Sequence, residues 1–250
     1  MSTGGGSTWF RRYELAAPPR ARLLCLPHAG GSASFFHSWG HAFGDDVEVL
    51  VARYPGRQER IAEPLLESMD ELADAVTEEL LPFLDIPLVV FGHSMGASLA
   101  YEVALRLQEL HGVRIAGLYV SCQVPPQLKK PKTAYLGGDA EVIDEVRRLG
   151  GTDRALLDDP DLRDLVLPAI RADFRIVGGY GLRPGVPLRC PVAGYLGGED
   201  PDITEAEMEA WSEVAPAGFE LRVMPGDHFY LVQQRDALID DLTRRLSRIR

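Results

Sequence analysis

Short apolar runs alternate along this chain with longer stretches whose apolar residues recur every three or four positions. The runs Arg22–Leu26, Val47–Ala52, Leu88–Phe91, Val113–Val120, Val192–Leu196 and Phe219–Val223 predict strands. Between them, Ala33–Phe43 reads as a short helix. Met69, Leu72, Ala73, Val76, Leu80 and Phe83 lie close to helical spacing and predict a helix over Met69–Leu84. Ala97–Leu110 is amphipathic, and Leu231–Arg248 closes the chain as a final helix. Trp9–Leu15 is an expected edge strand. Strand alternating with helix predicts an α/β fold, a mostly parallel sheet with helices on both faces. No repeat and no long linker divides the chain, so one domain over residues 1–250 is expected, with a flexible tail at 1–8.

One segment breaks the alternation. About seventy residues separate Ser121 from Val192, far more than an ordinary strand-to-helix connection. Two helical patterns lie inside, Asp139–Leu149 and Asp161–Asp173. Binding sites in such sheets lie at the carboxyl ends of the strands. An insertion over about residues 124–180 is therefore expected to act as a lid above that edge. Leu167 and Phe174, on or near the second pattern, are candidate pocket residues, with packing inside the lid as the alternative role.

Candidate chemistry enters at Phe91-Gly92-His93-Ser94-Met95-Gly96, between a predicted strand and a predicted helix. A G-x-S-x-G string in that setting is a nucleophile elbow. The serine stands on a tight turn, and the glycines two positions away remove side chains that would collide there. The helix that follows aims its first N–H groups toward a developing oxyanion. Such a site takes its acid next and its histidine last in chain order. Of six histidines, His228 alone follows the last predicted strand, and its loop belongs at the same sheet edge. The acid loop, Gly197-Gly198-Glu199-Asp200-Pro201-Asp202, crowds three carboxylates together. Asp200 precedes a proline, which holds it extended, and is the choice, with Asp202 the alternative. Two converging N–H donors are also needed. One is expected from Met95. The other is expected from Ala29, in the glycine-rich loop Pro27-His28-Ala29-Gly30-Gly31. His28 precedes the serine and is expected to order that loop, not to act as base.

Taken together, these segments carry a family resemblance. Leu26-Pro27-His28-Ala29-Gly30-Gly31, Arg53-Tyr54-Pro55-Gly56-Arg57-Gln58-Glu59-Arg60, the elbow and Gly226-Asp227-His228-Phe229-Tyr230-Leu231 resemble the type II thioesterases. These stand-alone hydrolases accompany polyketide synthases and nonribosomal peptide synthetases. Leu167-Pro168-Ala169-Ile170-Arg171-Ala172-Asp173 is similar to the family's lid, while Ser121-Cys122-Gln123-Val124-Pro125 departs from its usual turn. The resemblance implies an α/β-hydrolase fold, Ser94 as nucleophile, Asp200 as acid, His228 as base, and Ala29 and Met95 as oxyanion donors. It implies hydrolysis of acyl groups from the phosphopantetheine arm of a carrier protein, as editing of stalled chains, with no cofactor of the enzyme's own. Such carriers are acidic, so Lys129, Lys130, Lys132 and Arg57 become docking candidates. The alternatives are a chain-releasing or acyl-transferring thioesterase, a general acyl-CoA thioesterase or esterase, and a binding protein on a hydrolase scaffold.

Composition narrows the rest. A net charge of -11 argues against nucleic acid and against attraction of an acidic partner by the overall field, so any such docking needs a local basic patch. No apolar run reaches the ~18 residues of a membrane span, and Met1–Thr8 has no signal-peptide pattern. Three cysteines without an export signal predict reduced, buried thiols, in keeping with a cytoplasmic protein. A monomer is expected. No metal-ligand spacing or nucleotide-binding glycine pattern is present.

Overall fold

The computed structural model describes residues 8–13, 15–130, 137–150 and 158–249. The expected tail, apart from Thr8, lies outside them. Seven strands form one sheet: β1 (Phe10–Arg12), β2 (Ala21–Leu26), β3 (Val47–Ala52), β4 (Leu88–His93), β5 (Gly117–Ser121), β6 (Val192–Gly197) and β7 (Phe219–Met224). Their order is β1-β3-β2-β4-β5-β6-β7, and every pairing is parallel except β1 with β3. This is the α/β-hydrolase arrangement expected. Strands β2 to β6 are buried along their whole length, which is why their sequences run mostly apolar instead of alternating, with the buried Arg22 and Glu48 of β2 and β3 paired to each other.

The helices cover the sheet. In α1 (Met69–Leu80), Met69, Leu72, Ala73, Val76 and Leu80 are buried, and the Ser68 side chain caps the start by accepting from Glu71 N–H. In α2 (Met95–Leu110) small residues, Gly96, Ala97, Ser98 and Ala100, let the helix lie close behind β4. Several element boundaries moved. β5 begins at Gly117, not Val113, because Val113 closes the preceding helix through its N–H to Leu107 O, 2.8 Å. The predicted final helix is two, Tyr230–Gln233 and Arg235–Leu246, broken at Gln234. Ala33–Trp39 is a 3-10 helix, shorter than expected.

The insertion holds α3 (Asp139–Leu149) and α4 (Pro160–Gly179). Asp159 caps α4 by accepting from the N–H groups of Asp161 and Leu162, with Pro160 at the first helical position. The helix runs past the predicted Asp173 to Gly179. Its two ends are buried in different places. Leu167, Ile170 and Phe174 join Val142 and Val146 of α3 in a small cluster of their own. Ile176 and Tyr180 join the main core instead, and Tyr180 donates its hydroxyl to Glu102, 2.8 Å. That second anchorage extends the helix.

Candidate active site

Strand β4 delivers Ser94 at the top of the sheet, between β2 and β5. Its backbone sits at φ 54, ψ −117, an uncommon conformation for a residue with a side chain. The turn is closed by Ser94 N–H to Ser121 O, 2.8 Å, and by Ala97 N–H to Ser94 O, 2.9 Å. Gly92 and Gly96 are required here by space. A Cβ on Gly92 would lie 2.0 Å from Gly96 O, and one on Gly96 would lie 2.0 Å from Leu26 O. The tight spacing of the elbow thus reflects backbone against backbone, where no side chain can give way.

The candidate acid and base come from neighbouring loops, after β6 and β7. His228 Nδ1 lies 2.7 Å from Asp200 Oδ2, and both side chains are buried. Asp200 Oδ1 accepts from the N–H groups of Asp202 and Ile203, which fixes the carboxylate's orientation. Burial pushes the Asp200 carboxyl up, but the hydrogen bond and charge of His228, the Asp202 N–H and the Cys122 thiol outweigh it. The net displacement is downward, so the group stays ionised. Asp202 takes a different partner: its two oxygens accept from Arg148 of α3, both at 2.8 Å. His228 Nε2 is buried and has no hydrogen-bond partner among the described residues.

Ser94 and His228 share one cavity of about 460 Å³, together with Ala29, Gln123, Val124 and Phe174. Met95 is the first residue of α2, directly after the serine. Of the two lid residues expected there, Phe174 reaches the cavity. Leu167 does not; it packs in the lid's own cluster and borders a separate cleft with Arg171 and Arg175. The docking residues also divide. Lys130 is exposed near the cavity mouth and bonds Glu207, 3.1 Å. Lys129 is buried with its ammonium 5.8 Å from the Tyr180 ring centre. Arg57 faces inward onto Asp173, contrary to the expected outward role, because the buried carboxylate of α4 claims its guanidinium. Lys132 lies outside the described residues. His28 is buried among Phe35, Phe229 and His93, in the loop-ordering position expected.

Residues that local reasoning passed over also surround the site. Gln123 donates from Nε2 to Ser94 O, 3.1 Å, and its own carbonyl accepts from Trp211 Nε1, 2.7 Å. Beneath the elbow runs a chain of His93 Nδ1, Ser121 Oγ and Tyr230 hydroxyl, at 3.0 and 2.9 Å. Burial, then the neighbouring His228 and His28, holds His93 well below the usual imidazole range, so it is neutral. Cys122, Asp200 and His228 bring ligand-type atoms within 4.8 Å of one another. Nδ1 and Oδ2 already bond each other, however. Burial, then the Asp200 charge, also pushes the Cys122 thiol up, away from the thiolate a metal requires. The only signal for Cys122 and Gln123 was the unusual turn they form.

A family model described as a thioesterase domain matches residues 21–246. Thioesterase PikA5 of Streptomyces venezuelae is 42% identical over 239 residues, covering 95% of this chain and 85% of its own. The gramicidin S biosynthesis protein GrsT of Aneurinibacillus migulanus is 35% identical over 239 residues, covering 95% and 93%. Among solved structures, the type II thioesterase BorB from the borrelidin biosynthetic cluster matches with a TM-score of 0.87 at 42% identity, covering 95% of this chain and 97% of that one.

Proposed function

The chain belongs to the thioesterase family, and on that footing we propose that it is a stand-alone serine thioesterase acting on acyl groups carried by the phosphopantetheine arm of carrier proteins. Its task is to clear stalled or aberrant acyl chains in polyketide or nonribosomal peptide assembly. The gramicidin S biosynthesis protein and the type II thioesterase of the borrelidin cluster each match over 95% of the chain and support this. One observation carries the chemistry: His228, bonded to the buried Asp200, shares a cavity with a serine on a strained elbow.

In the reading we favour, Ser94 Oγ attacks the thioester carbonyl and passes its proton to His228 Nε2. Asp200 holds the imidazole through Nδ1 and stabilises the imidazolium. The Met95 and Ala29 N–H groups receive the oxyanion. The C–S bond breaks, and His228 protonates the departing thiolate. A water then attacks the acyl-enzyme carbonyl as His228 takes its proton, and the second tetrahedral intermediate collapses to the free acid as His228 returns that proton to Ser94 Oγ. Every proton and electron pair in this sequence is accounted for by the chain, the thioester and water, so it calls for no cofactor. No described helix is long and apolar enough to cross a membrane. The buried free cysteines suit a reducing, cytoplasmic setting, and we take the protein to act as a monomer.

Docking rests on few cations. Lys130, and Arg148 beside Asp202, stand at the mouth of the cavity and are the groups an acidic carrier would meet there. The test compares kcat/KM for an acyl-carrier and the matching acyl-CoA, which share thioester and arm. A clear preference for the carrier, reduced by salt and by Lys130→Glu, is expected. Equal, salt-insensitive rates would favour a general acyl-CoA thioesterase.

A further inference from the structure

The lid and the oxyanion loop are joined by a buried carboxylate. Asp173 lies on α4, is 2% exposed, and points down out of the lid. Its Oδ2 accepts from the backbone N–H of Gly30 at 2.7 Å. Oδ2 and Oδ1 also accept from Arg57 Nη1 and Nη2, at 2.6 and 2.8 Å. The same Nη1 donates to Gly31 O, 2.9 Å, and the Arg57 guanidinium lies 5.4 Å from the Tyr54 ring centre. The Tyr54 hydroxyl in turn donates to Pro27 O, 3.1 Å. The loop is thus held at Pro27, Gly30 and Gly31, with Ala29 between the anchors and facing the cavity.

A second contact points the same way by different physics. Ala29 packs against the lid's own apolar cluster of Val142, Val146, Leu167, Ile170 and Phe174. The loop that carries the expected donor therefore touches the lid through both a charged bond and an apolar face. A buried ion pair is a poor source of net stability, because desolvation opposes its attraction. Its forked geometry does set registry closely. Here the registry lies between a lid helix and a catalytic loop, 116 positions apart in sequence for Arg57 and 143 for Gly30.

We propose that Asp173 is a positioning residue: through Gly30 and Arg57 it sets the oxyanion loop, so that Ala29 N–H is aligned only while the lid helix is docked. This rests on the reading of Ala29 as an oxyanion donor and goes beyond it, since it couples acyl enclosure by the lid to transition-state stabilisation below. An open lid would admit the acyl arm but leave one donor displaced, so hydrolysis would wait for closure.

The experiment measures Asp173→Asn on a short acyl N-acetylcysteamine thioester, which needs no carrier. It pairs kcat and KM with affinity for a trifluoromethyl ketone, which forms a tetrahedral adduct, and for the product acid of equal length. Losing an oxyanion donor costs about 10²–10³ in kcat. A comparable fall in kcat and in ketone affinity is expected, with KM and product affinity within about threefold. Loss of KM and product affinity with kcat and ketone affinity retained would overturn the proposal, leaving Asp173 a pocket-wall pin. Thermal denaturation checks folding. If Asp173→Asn does not fold, Arg57→Lys keeps the buried charge but loses the fork. It should show the same kcat-selective pattern, and a KM-selective pattern would again overturn it. Labelling of Ser94 by a fluorophosphonate in the unsubstituted protein separates the two levels. Failure to label there would overturn the nucleophile assignment itself, and this proposal with it, without any substitution being made.

Discussion

The sheet beneath Ser94 and the facing turns of α3 and α4 above it bury their apolar residues in separate clusters, although the end of α4 joins the lower one. The lower one is continuous, running from Phe10 of β1 to Leu246 near the end of the chain. The upper one holds five buried residues shared by α3 and α4. Their fastenings differ as well. The elbow, acid loop and histidine loop are held by backbone bonds between neighbouring strands. Apart from the buried Asp173–Arg57 pair and the anchorage of Ile176 and Tyr180 in the main core, the lid is tied down through partly exposed ion pairs, such as Arg148–Asp202 and Arg175–Glu67. Pairs of that kind contribute about 0–1 kcal/mol each. A region with a small core and exposed ties opens at lower free energy than the sheet does. On the function proposed, the lesson is a division of labour: the sheet keeps the reacting groups in place, and the insertion is expected to move for the substrate.

Substitutions below and above the cavity should break differently, and the largest effect belongs below. Ser94→Ala should cut hydrolysis by several orders of magnitude, because no acyl-enzyme forms. The elbow backbone is held by Ser121 O, so the thermal midpoint should barely move. A variant retaining about a tenth of wild-type turnover would remove Ser94 from the mechanism.

Asp200→Asn comes next. The amide cannot hold His228 in the same tautomer, and turnover should fall by about 10³ to 10⁴. Asp202→Asn, two residues on, should cost far less, since that carboxylate serves Arg148 of the lid. Steady-state rates of the two variants side by side decide the matter, and a crippled Asp202→Asn would exchange their roles.

Above the cavity, Phe174→Ala removes a side chain shared by the lid cluster and the pocket. In a closed core such a change costs about 3–5 kcal/mol. Here the loss should stay local. Hydrogen exchange should quicken over residues 158–179 while β2, β4 and β5 keep their protection. The chain-length profile should shift more than the rate on an acetyl substrate. Equal losses at every chain length, with global destabilisation, would mean that the two clusters unfold as one.

The smallest effect tests a tie between the regions. Asp70 of α1 bonds Arg183, just past α4, and Arg106 of α2. Arg183, then Arg106, brings its carboxyl down to about 2 against the opposing effect of burial. A lowered folded-state pKa adds stability that is present above the ordinary value of 3.8 and fades as pH falls toward 2. Asp70→Asn should flatten that acid limb slightly in thermal melts from pH 5 to 2. An unchanged limb would show that the exposed tie is screened out.

Legibility followed the same division. The sheet's strands were readable because complete burial leaves nearly unbroken apolar runs, as in Leu88–Phe91 of β4 and in β6. The elbow was readable because its glycines are required by backbone collisions within a few residues. The lid helix α3 was readable from its own spacing, but α4 was read six residues short. Its last turns are stabilised by distant partners, Glu102 among them, which leave no local periodic mark. Arg57 was misjudged for the same reason, since an arginine in a polar loop looks exposed until the carboxylate that buries it is seen.

By itself the sequence determined the order of the elements, the G-x-S-x-G turn, and the family. These depend on short-range sterics and on patterns of burial written along the chain. Only the tertiary structure decided that Asp200 bonds His228 while Asp202 bonds Arg148. Both are carboxylates on one short loop, and the proline after Asp200 favoured it locally, but only the fold brings His228 to the one and Arg148 to the other. It alone decided that Phe174 reaches the cavity while Leu167 stays within the lid, and that Asp173 joins Gly30 and Arg57. Each of these choices depends on where the chain returns after a long excursion, and that is set by packing across the whole fold.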